Sequence, residues 1–257
     1  HLTDAAARRS IEAGGAQHGI FVVEGPLALD QLRASAHRIR SVLVTPARAE
    51  SMGDRLDGIE PVLVADRAVL ADACGFDVHR GVLAAADRPA PSEPSEILGG
   101  RSRVLVLEGV NDNENVGALF RNAAALGLDA VLLDAACTDP LYRRSIRVSS
   151  GWSLRLPFAR ADRTAQLLAA LADRGIRTVA LTPSPGAVPV DVAAADGVLD
   201  GPVAFVVGAE GPGLTPDTID ACDAAVRVPM APGVDSLNVA TSLAVVGAFA
   251  AARRSWS

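Results

Sequence analysis

The 257-residue sequence contains no lysine; all 24 of its basic residues are arginine. A phosphate-cradling loop of the form G-x-x-x-x-G-K-[ST] is therefore impossible, and a P-loop nucleotidase is excluded. Cysteine is scarce as well. Cys74, Cys137 and Cys222 stand far apart without a C-x-x-C pair, so neither a disulfide framework nor a zinc knuckle fits, no metal is expected, and a reduced compartment follows. Aromatic residues make up 4% and the net charge is -6, which excludes a globally basic nucleic-acid coat protein but not a local arginine stripe. The most apolar run, 239–252, is shorter than the ~20 residues a spanning helix needs and contains Thr241 and Ser242. The N-terminal stretch HLTDAAARRSIEAGG lacks the apolar core of a signal peptide, so no membrane association and a cytoplasmic location are expected.

Apolar residues, at 49%, are ample for the core of one large domain or two modest ones. From Arg88 the chain reads RPAPSEPSEILGG, whose prolines, serines and closing glycine pair predict a linker over 89–100. Before it, in 1–88, short β-rich runs (19–23, 42–44, 62–64, 82–84) alternate with helical stretches (26–35, 67–73), as in a small α/β module. After it, in 101–257, the runs 104–107, 131–133, 178–181 and 203–207 are continuously apolar, as strands buried on both faces require. An α/β domain with a parallel sheet and helices on both sides is expected.

Three stretches leave such strands for a polar or glycine-rich turn. In LEGVNDNENVGALFRNAAALG, 107–127, Asn115 suits a helix N-cap and Gly127 a left-handed C-terminal cap, predicting a helix over 116–126. Leu119, Phe120, Ala123 and Ala124 form its apolar stripe, while Gly117 and Arg121, four apart, share another face where a substrate has room. In VAFVVGAEGPGLTPD, 203–217, Gly208, Gly211 and Gly213 permit close backbone approach, and Thr215 with Pro216 opens the next helix. The order G-x-x-G-x-G is not the dinucleotide G-x-G-x-x-G, which disfavours a nicotinamide-dependent oxidoreductase. Glu210 at that turn is a candidate partner for Arg121. In AVRVPMAPGVDSLNVATSLAVVGAFAAA, 225–252, Asp235 or Ser236 can cap a long helix that is apolar nearly all round, with Asn238 in its first turn. Each polar residue alone reads equally well as a cap or a solvated group. In parallel α/β sheets, however, the loops leaving the carboxyl ends of the strands lie on one edge, so Asn115, Arg121, Glu210, Ser236 and Asn238 are expected to converge there.

The segments N-E-N-V-G-A-L-F-R-N-A-A-A-L-G, V-V-G-A-E-G-P-G-L and V-P-M-A-P-G-V-D-S-L-N-V-A resemble, in order and spacing, the three motifs of the SpoU/TrmH ribose methyltransferases. D-P-L-Y-R-R-S-I-R-V-S-S-G, 139–151, resembles a further stretch of that family, and 1–88 resembles its N-terminal RNA-binding α/β module. The resemblance implies a SPOUT fold whose C-terminal segment is threaded into a deep trefoil knot, an exception to ordinary topology. It implies S-adenosylmethionine as cofactor, held by Leu181, Thr182, Gly208, Gly211, Val228, Met230 and Leu237, and a homodimer. It further implies methyl transfer to a ribose 2′-oxygen of RNA, with Asn115, Arg121, Glu210, Ser236 and Asn238 as the catalytic set and ribosomal RNA as substrate. A tRNA ribose methyltransferase and a non-catalytic RNA-binding scaffold of the same fold remain the alternatives. RNA needs local positive charge, for which Arg143, Arg144, Arg147 and Arg155, with Arg160 and Arg163, form an expected phosphate track. Arg33, Arg38, Arg40, His79 and Arg80 are the corresponding candidates in 1–88.

Overall fold

The computed structural model describes residues 19–74 and 78–252. The N-terminal stretch in which the sequence shows no signal-peptide core lies outside them. The first strands and helices are β1 (Ile20–Glu24), α1 (Pro26–Arg33), β2 (Ile39–Val44), α2 (Pro46–Met52), β3 (Val62–Val64), α3 (Arg67–Cys74), β4 (Val82–Asp87) and α4 (Pro94–Ile97). There follow β5 (Arg103–Glu108), α5 (Asn113–Ala125), β6 (Ala130–Asp134), α6 (Arg143–Val148), β7 (Phe158–Ala161), α7 (Thr164–Ala172) and β8 (Arg177–Leu181). The chain continues through β9 (Val188–Pro189), α8 (Val190–Ala195), β10 (Val203–Gly208), α9 (Pro216–Ala221), β11 (Ala224–Arg227) and α10 (Val239–Ala251). Among the described residues no helix is long and apolar enough to cross a membrane.

Two compact units result. The first comprises the chain up to Ala90 together with Asp139–Arg155. Its sheet has the order β1-β4-β2-β3, with β4 antiparallel to both neighbours and β2 parallel to β3. Val22, Leu70, Val78 and Leu83 pack together in its core. The sequence reading assigns 139–155 to the C-terminal domain; in the structure α6 packs on β1 instead. A turn after α6 lies against α1 so closely that a Cβ on Gly151 would stand 2.7 Å from the Gln31 Cβ, and its φ of +83° is one only glycine adopts readily. Burying Ser145 and Ile146 of α6 is what holds this excursion in place, and nothing in its local pattern distinguishes it from the flanking domain.

The second unit comprises Pro91–Thr138 and the chain from Leu156 onward. Its seven strands run in the order β7-β6-β5-β10-β8-β11-β9, and every pair is parallel. Strand side chains alternate between two cores. Leu105, Leu107, Val131, Leu133, Phe205 and Val207 meet α5, α8 and α10 on one face. Val104, Val106, Leu132, Ala204 and Val206 meet α7 on the other. Continuous apolar runs are thus required because both faces are covered, each large side chain contributing ~1.5–3 kcal/mol of burial. From Pro91 on, the expected linker is part of this unit: Pro94 begins α4, the Glu96 carboxylate accepts from the Glu93 N–H at 3.2 Å, and Leu98 is buried. Its apolar Ile97–Leu98 pair outweighs the proline-rich composition that suggests an open crossing.

Candidate functional site

β5 and β10 are neighbours in exact register, with Glu108 opposite Gly208, so the loops leaving their carboxyl ends emerge side by side. A parallel sheet binds ligands at such a point, where connections diverge to opposite sides. The glycine turn after β10 folds back on itself through a Gly213 N–H to Ala209 carbonyl bond of 3.0 Å. It comes so close to its own strand that a Cβ on Gly208 would stand 2.2 Å from the Gly213 carbonyl carbon. Glu108, at 8% exposure, ties the end of β5 to the turn after β10 and the helix it opens: its carboxylate accepts from the Thr215 N–H at 2.7 Å and from the Thr218 hydroxyl. Asp134, buried at the end of β6, does the same for the loop after β5, accepting from the Gly109 N–H at 3.0 Å and the Cys137 N–H at 3.0 Å. Neither carboxylate is evident from motif spacing, since an acid at a strand end carries no local signal of the N–H groups it will meet.

The helix after β5 begins earlier than its sequence suggests. Asp112, not Asn115, is the N-cap, accepting from the Glu114 and Asn115 N–H groups at 2.8 and 2.9 Å. Both side chains suit a cap, and the one placed earlier takes the role. Asn115 is thereby carried into the first turn, buried at 6% exposure, with its amide free to act elsewhere. Its Nδ2 donates to Glu210 Oε2 at 2.9 Å, and its Oδ1 accepts from Asn238 Nδ2 at 2.8 Å. Asn238 is the N-cap of α10, its Oδ1 accepting from the Ala240 and Thr241 N–H groups at 2.9 and 3.3 Å. Neither Asp235 nor Ser236 takes that position. The cap fixes the polarity of the chain of bonds: with Oδ1 turned to the helix, the Asn238 NH2 group must face Asn115, whose own NH2 group must then face Glu210. Glu210 Oε1 is left without a partner among the described residues.

Arg121 does not join this chain. It lies six residues beyond Asn115, about a third of a turn round the helix, and is exposed. The expected pairing with Glu210 is not formed among the described residues; one oxygen of that carboxylate accepts from Asn115 instead. Arg121 makes no hydrogen bond or ion pair among the described residues, which leaves its planar fork available to an anion. Its neighbour Asn122 ties α5 to α10 by donating to the Ala240 carbonyl at 2.7 Å.

An open cleft lies beside these loops. Leu181, Thr182, Val228, Met230, Ser236 and Leu237 line it, together with Pro183, Val226, Ser242 and Val246, which sequence reasoning misses because they belong to a strand end and a helix interior. Ser236 therefore belongs to the cleft and not to the Asn115 chain. Gly208 and Gly211 are not among its lining residues. At their amino ends β8 and β11 are tied together by Asp223, which accepts from the Thr178 N–H and hydroxyl at 2.7 and 2.8 Å. The Thr178 N–H, then its hydroxyl, holds the Asp223 carboxyl below the usual carboxylate range. Burial pushes the Cys137 thiol up to about 12 and that of Cys222 to about 11, so neither supplies a thiolate nucleophile at neutral pH. No group of three or more His, Cys, Asp or Glu residues among the described residues is placed to hold a metal.

The arginines of the expected phosphate track divide. Arg160 donates to the Asp134 and Cys137 carbonyls at 3.3 and 2.9 Å and so fastens a loop of the second unit. Arg143, Arg144, Arg147 and Arg155 all belong to the first unit; Arg143 faces Glu24 at 3.9 Å, and Arg155 lies over the Trp152 ring at 5.2 Å. Of the other candidates, Arg33 donates to the Asp54 carbonyl at 3.3 Å, Arg38 and Arg40 pair with Asp87, and His79 meets Arg67 at 3.3 Å. Arg80 is exposed.

Comparison with known proteins bears on this geometry. The model of the SpoU rRNA Methylase family matches residues 102–248. An uncharacterized tRNA/rRNA methyltransferase of Mycobacterium tuberculosis is 42% identical over 227 residues, covering 88% of this chain and 78% of the relative. The 23S rRNA (guanosine-2′-O-)-methyltransferase RlmB of Photobacterium profundum is 33% identical, covering 88% of this chain and 93% of the relative. The fold matches that of the SpoU methyltransferase AviRb from Streptomyces viridochromogenes, solved with AdoMet, with a TM-score of 0.81 at 19% identity over 98% of this chain and 94% of the other.

Proposed function

The chain belongs to the SpoU rRNA Methylase family, and from that premise we propose that it is an S-adenosylmethionine-dependent RNA methyltransferase acting on a ribose 2′-hydroxyl of ribosomal RNA. The observation that carries this reading is the single hydrogen-bonded chain, Asn238 to Asn115 to Glu210, which unites the three motif loops beside a cleft. The cleft fits the cofactor in kind: Leu181, Val226, Val228 and Val246 offer apolar walls to a purine and a thioether-like arm, while Thr182, Ser236 and Ser242 offer hydroxyls to polar groups. When bound, the cofactor supplies an electrophilic methyl group on a sulfonium. The residues of the chain do the remainder. Asn115 and Asn238 hold Glu210 with one oxygen outward as an acceptor, and Arg121, permanently charged, stabilises the alkoxide character of the 2′-oxygen, whose proton passes to solvent as the methyl is received, and grips an adjoining phosphate. Positioning supplies much of the rate.

In this reading the C-terminal segment is threaded as a knot, 19–88 contacts RNA with help from α6, and two copies associate. Exposed Phe249 on α10 and exposed Val192 on the adjoining α8 support association through that face. Sequence kinship to a named 23S rRNA 2′-O-methyltransferase supports both the ribose target and ribosomal RNA. Titration calorimetry with S-adenosylmethionine, combined with tritiated methyl transfer to unmodified ribosomal and transfer RNA, tests the proposal. Binding with labelled ribosomal RNA is expected. Label in tRNA alone would favour the tRNA enzyme, binding without label the scaffold, and no binding would contradict the reading.

A further inference from the structure

The helix α10 serves two parts of the site at once. Ser242 and Val246 on it, with Ser236 and Leu237 just before it, line the cleft, while Asn238, its cap, opens the amide chain to Glu210. Arg121 stands on the other helix, α5. Methyl transfer from the cleft to a hydroxyl beside Arg121 therefore depends on how α10 is set against α5. Two side chains of α5 reach across. Asn115 and Asn122, seven residues and so about two turns apart, share a face of that helix. Asn115 accepts from Asn238 at 2.8 Å, and Asn122 Nδ2 donates to the Ala240 carbonyl at 2.7 Å. The Ala240 N–H in turn donates to Asn238 Oδ1 at 2.9 Å, so both asparagines of α5 grip the same turn of α10. Farther along, a Cβ on Gly247 would stand 2.5 Å from Leu126 Cδ1, and the bare glycine lets α10 lie close to the end of α5.

The bond from Asn122 is not one that α10 needs for itself. The backbone groups left open at a helix N-terminus are N–H donors, whereas a carbonyl of the first turn accepts from the N–H four residues on. A second donor to that carbonyl couples two helices rather than completing one. Asn122 is also not among the residues lining the cleft, and it directly follows Arg121, so the turn of α5 that presents the guanidinium is the turn fastened to α10. We propose that Asn122 is a positioning residue for methyl transfer: by holding the Ala240 carbonyl it fixes the first turn of α10, and with it Asn238 and one wall of the cleft, at a set height against Arg121. The inference rests on the methyltransferase function proposed above. Reacting groups displaced by about 1 Å can lose about 10²-fold in rate, so a tie remote from the chemistry is sufficient to govern it.

The test compares Asn122→Ala, which gives up the donor, and Asn122→Gln, which keeps it on a stem one methylene longer, with the unaltered protein. Methyl transfer to transcripts of unmodified ribosomal RNA gives kcat and KM, calorimetry gives the affinity for S-adenosylmethionine, and amide hydrogen exchange without cofactor follows residues 239–246. Asn122→Ala should lower kcat by about 10–10²-fold while leaving KM for RNA and the affinity for S-adenosylmethionine unaltered. Exchange over 239–246 should be faster in that variant, because the turn has lost its tie to α5. Asn122→Gln should recover most of the turnover and of the protection from exchange. Full kcat in Asn122→Ala, unchanged exchange, a loss of S-adenosylmethionine binding in step with the loss of turnover, or a glutamine variant no better than the alanine one would each overturn the proposal while the methyltransferase reading stands. If the unaltered protein transfers no methyl group to RNA, that reading fails, and the proposal with it.

Discussion

The two units divide the same residue type differently between backbone clasps and carboxylate pairs. In the second unit arginines serve the backbone: Arg101 donates to the Ile97 carbonyl at 2.6 Å, Arg177 to Val198 at 3.1 Å and Arg227 to Ala187 at 3.0 Å. Its candidate site is built from neutral amides, one carboxylate and an apolar cleft, with no ion pair to Arg121 among the described residues. In the first unit, Asp30, Asp87 and Asp139 pair with Arg55, with Arg38 and Arg40, and with Arg88, while Arg48, Arg80, Arg144 and Arg147 are exposed. Fastening guanidiniums to carbonyls fixes loops of the second unit, whereas part of the first unit's positive charge is left at the surface. The absence of lysine fits both uses, since carbonyl clasps and phosphate contacts each exploit a fixed fork of donors.

The comparison can be broken most sharply at Arg121. Arg121→Lys should lower methyl transfer by about 10²–10³-fold, because a point charge cannot replace a two-pronged donor to a developing oxyanion and phosphate. Calorimetry should show S-adenosylmethionine binding unaltered, since Arg121 is not a cleft residue. Near-normal turnover would place the chemistry elsewhere. A smaller effect, on stability, is expected at the loop clasp: Glu108→Ala should cost roughly 1.5–3 kcal/mol in urea unfolding, having removed a charged acceptor from two donors. Asn238→Ala removes a helix cap and one link of the amide chain, and should cost about 1 kcal/mol while reducing turnover as Glu210 loses its indirect support.

The smallest effect concerns pH. Because Asp223 has its folded-state pKa lowered by Thr178, its contribution is present above the ordinary carboxylate range and is lost as pH falls through the folded value. Asp223→Asn should therefore flatten the acid side of a melting-temperature profile and leave neutral pH little changed; an unaltered acid limb would contradict the assignment.

Much of this was legible in residue order. The runs at 104–107, 131–133 and 203–207 lie within β5, β6 and β10, because strands covered on both faces must be continuously apolar. Thr215 does cap α9, accepting from the Thr218 N–H at 3.3 Å, and Gly127 does take a left-handed φ of +67°. The caps of α5 and α10 were not legible. Asp112 and Asn115, or Asp235, Ser236 and Asn238, are equally able to accept N–H groups, and only the tertiary position of the helix start chooses among them. The same holds for the return of 139–155 to the first unit, which no local pattern encodes.

The measurement closest to the central claim is mass spectrometry of nucleosides from unmodified ribosomal RNA after incubation with the protein and S-adenosylmethionine. The site described predicts a 2′-O-methylated nucleoside that disappears with Arg121→Lys. A base-methylated nucleoside, or product undiminished by that substitution, would contradict it.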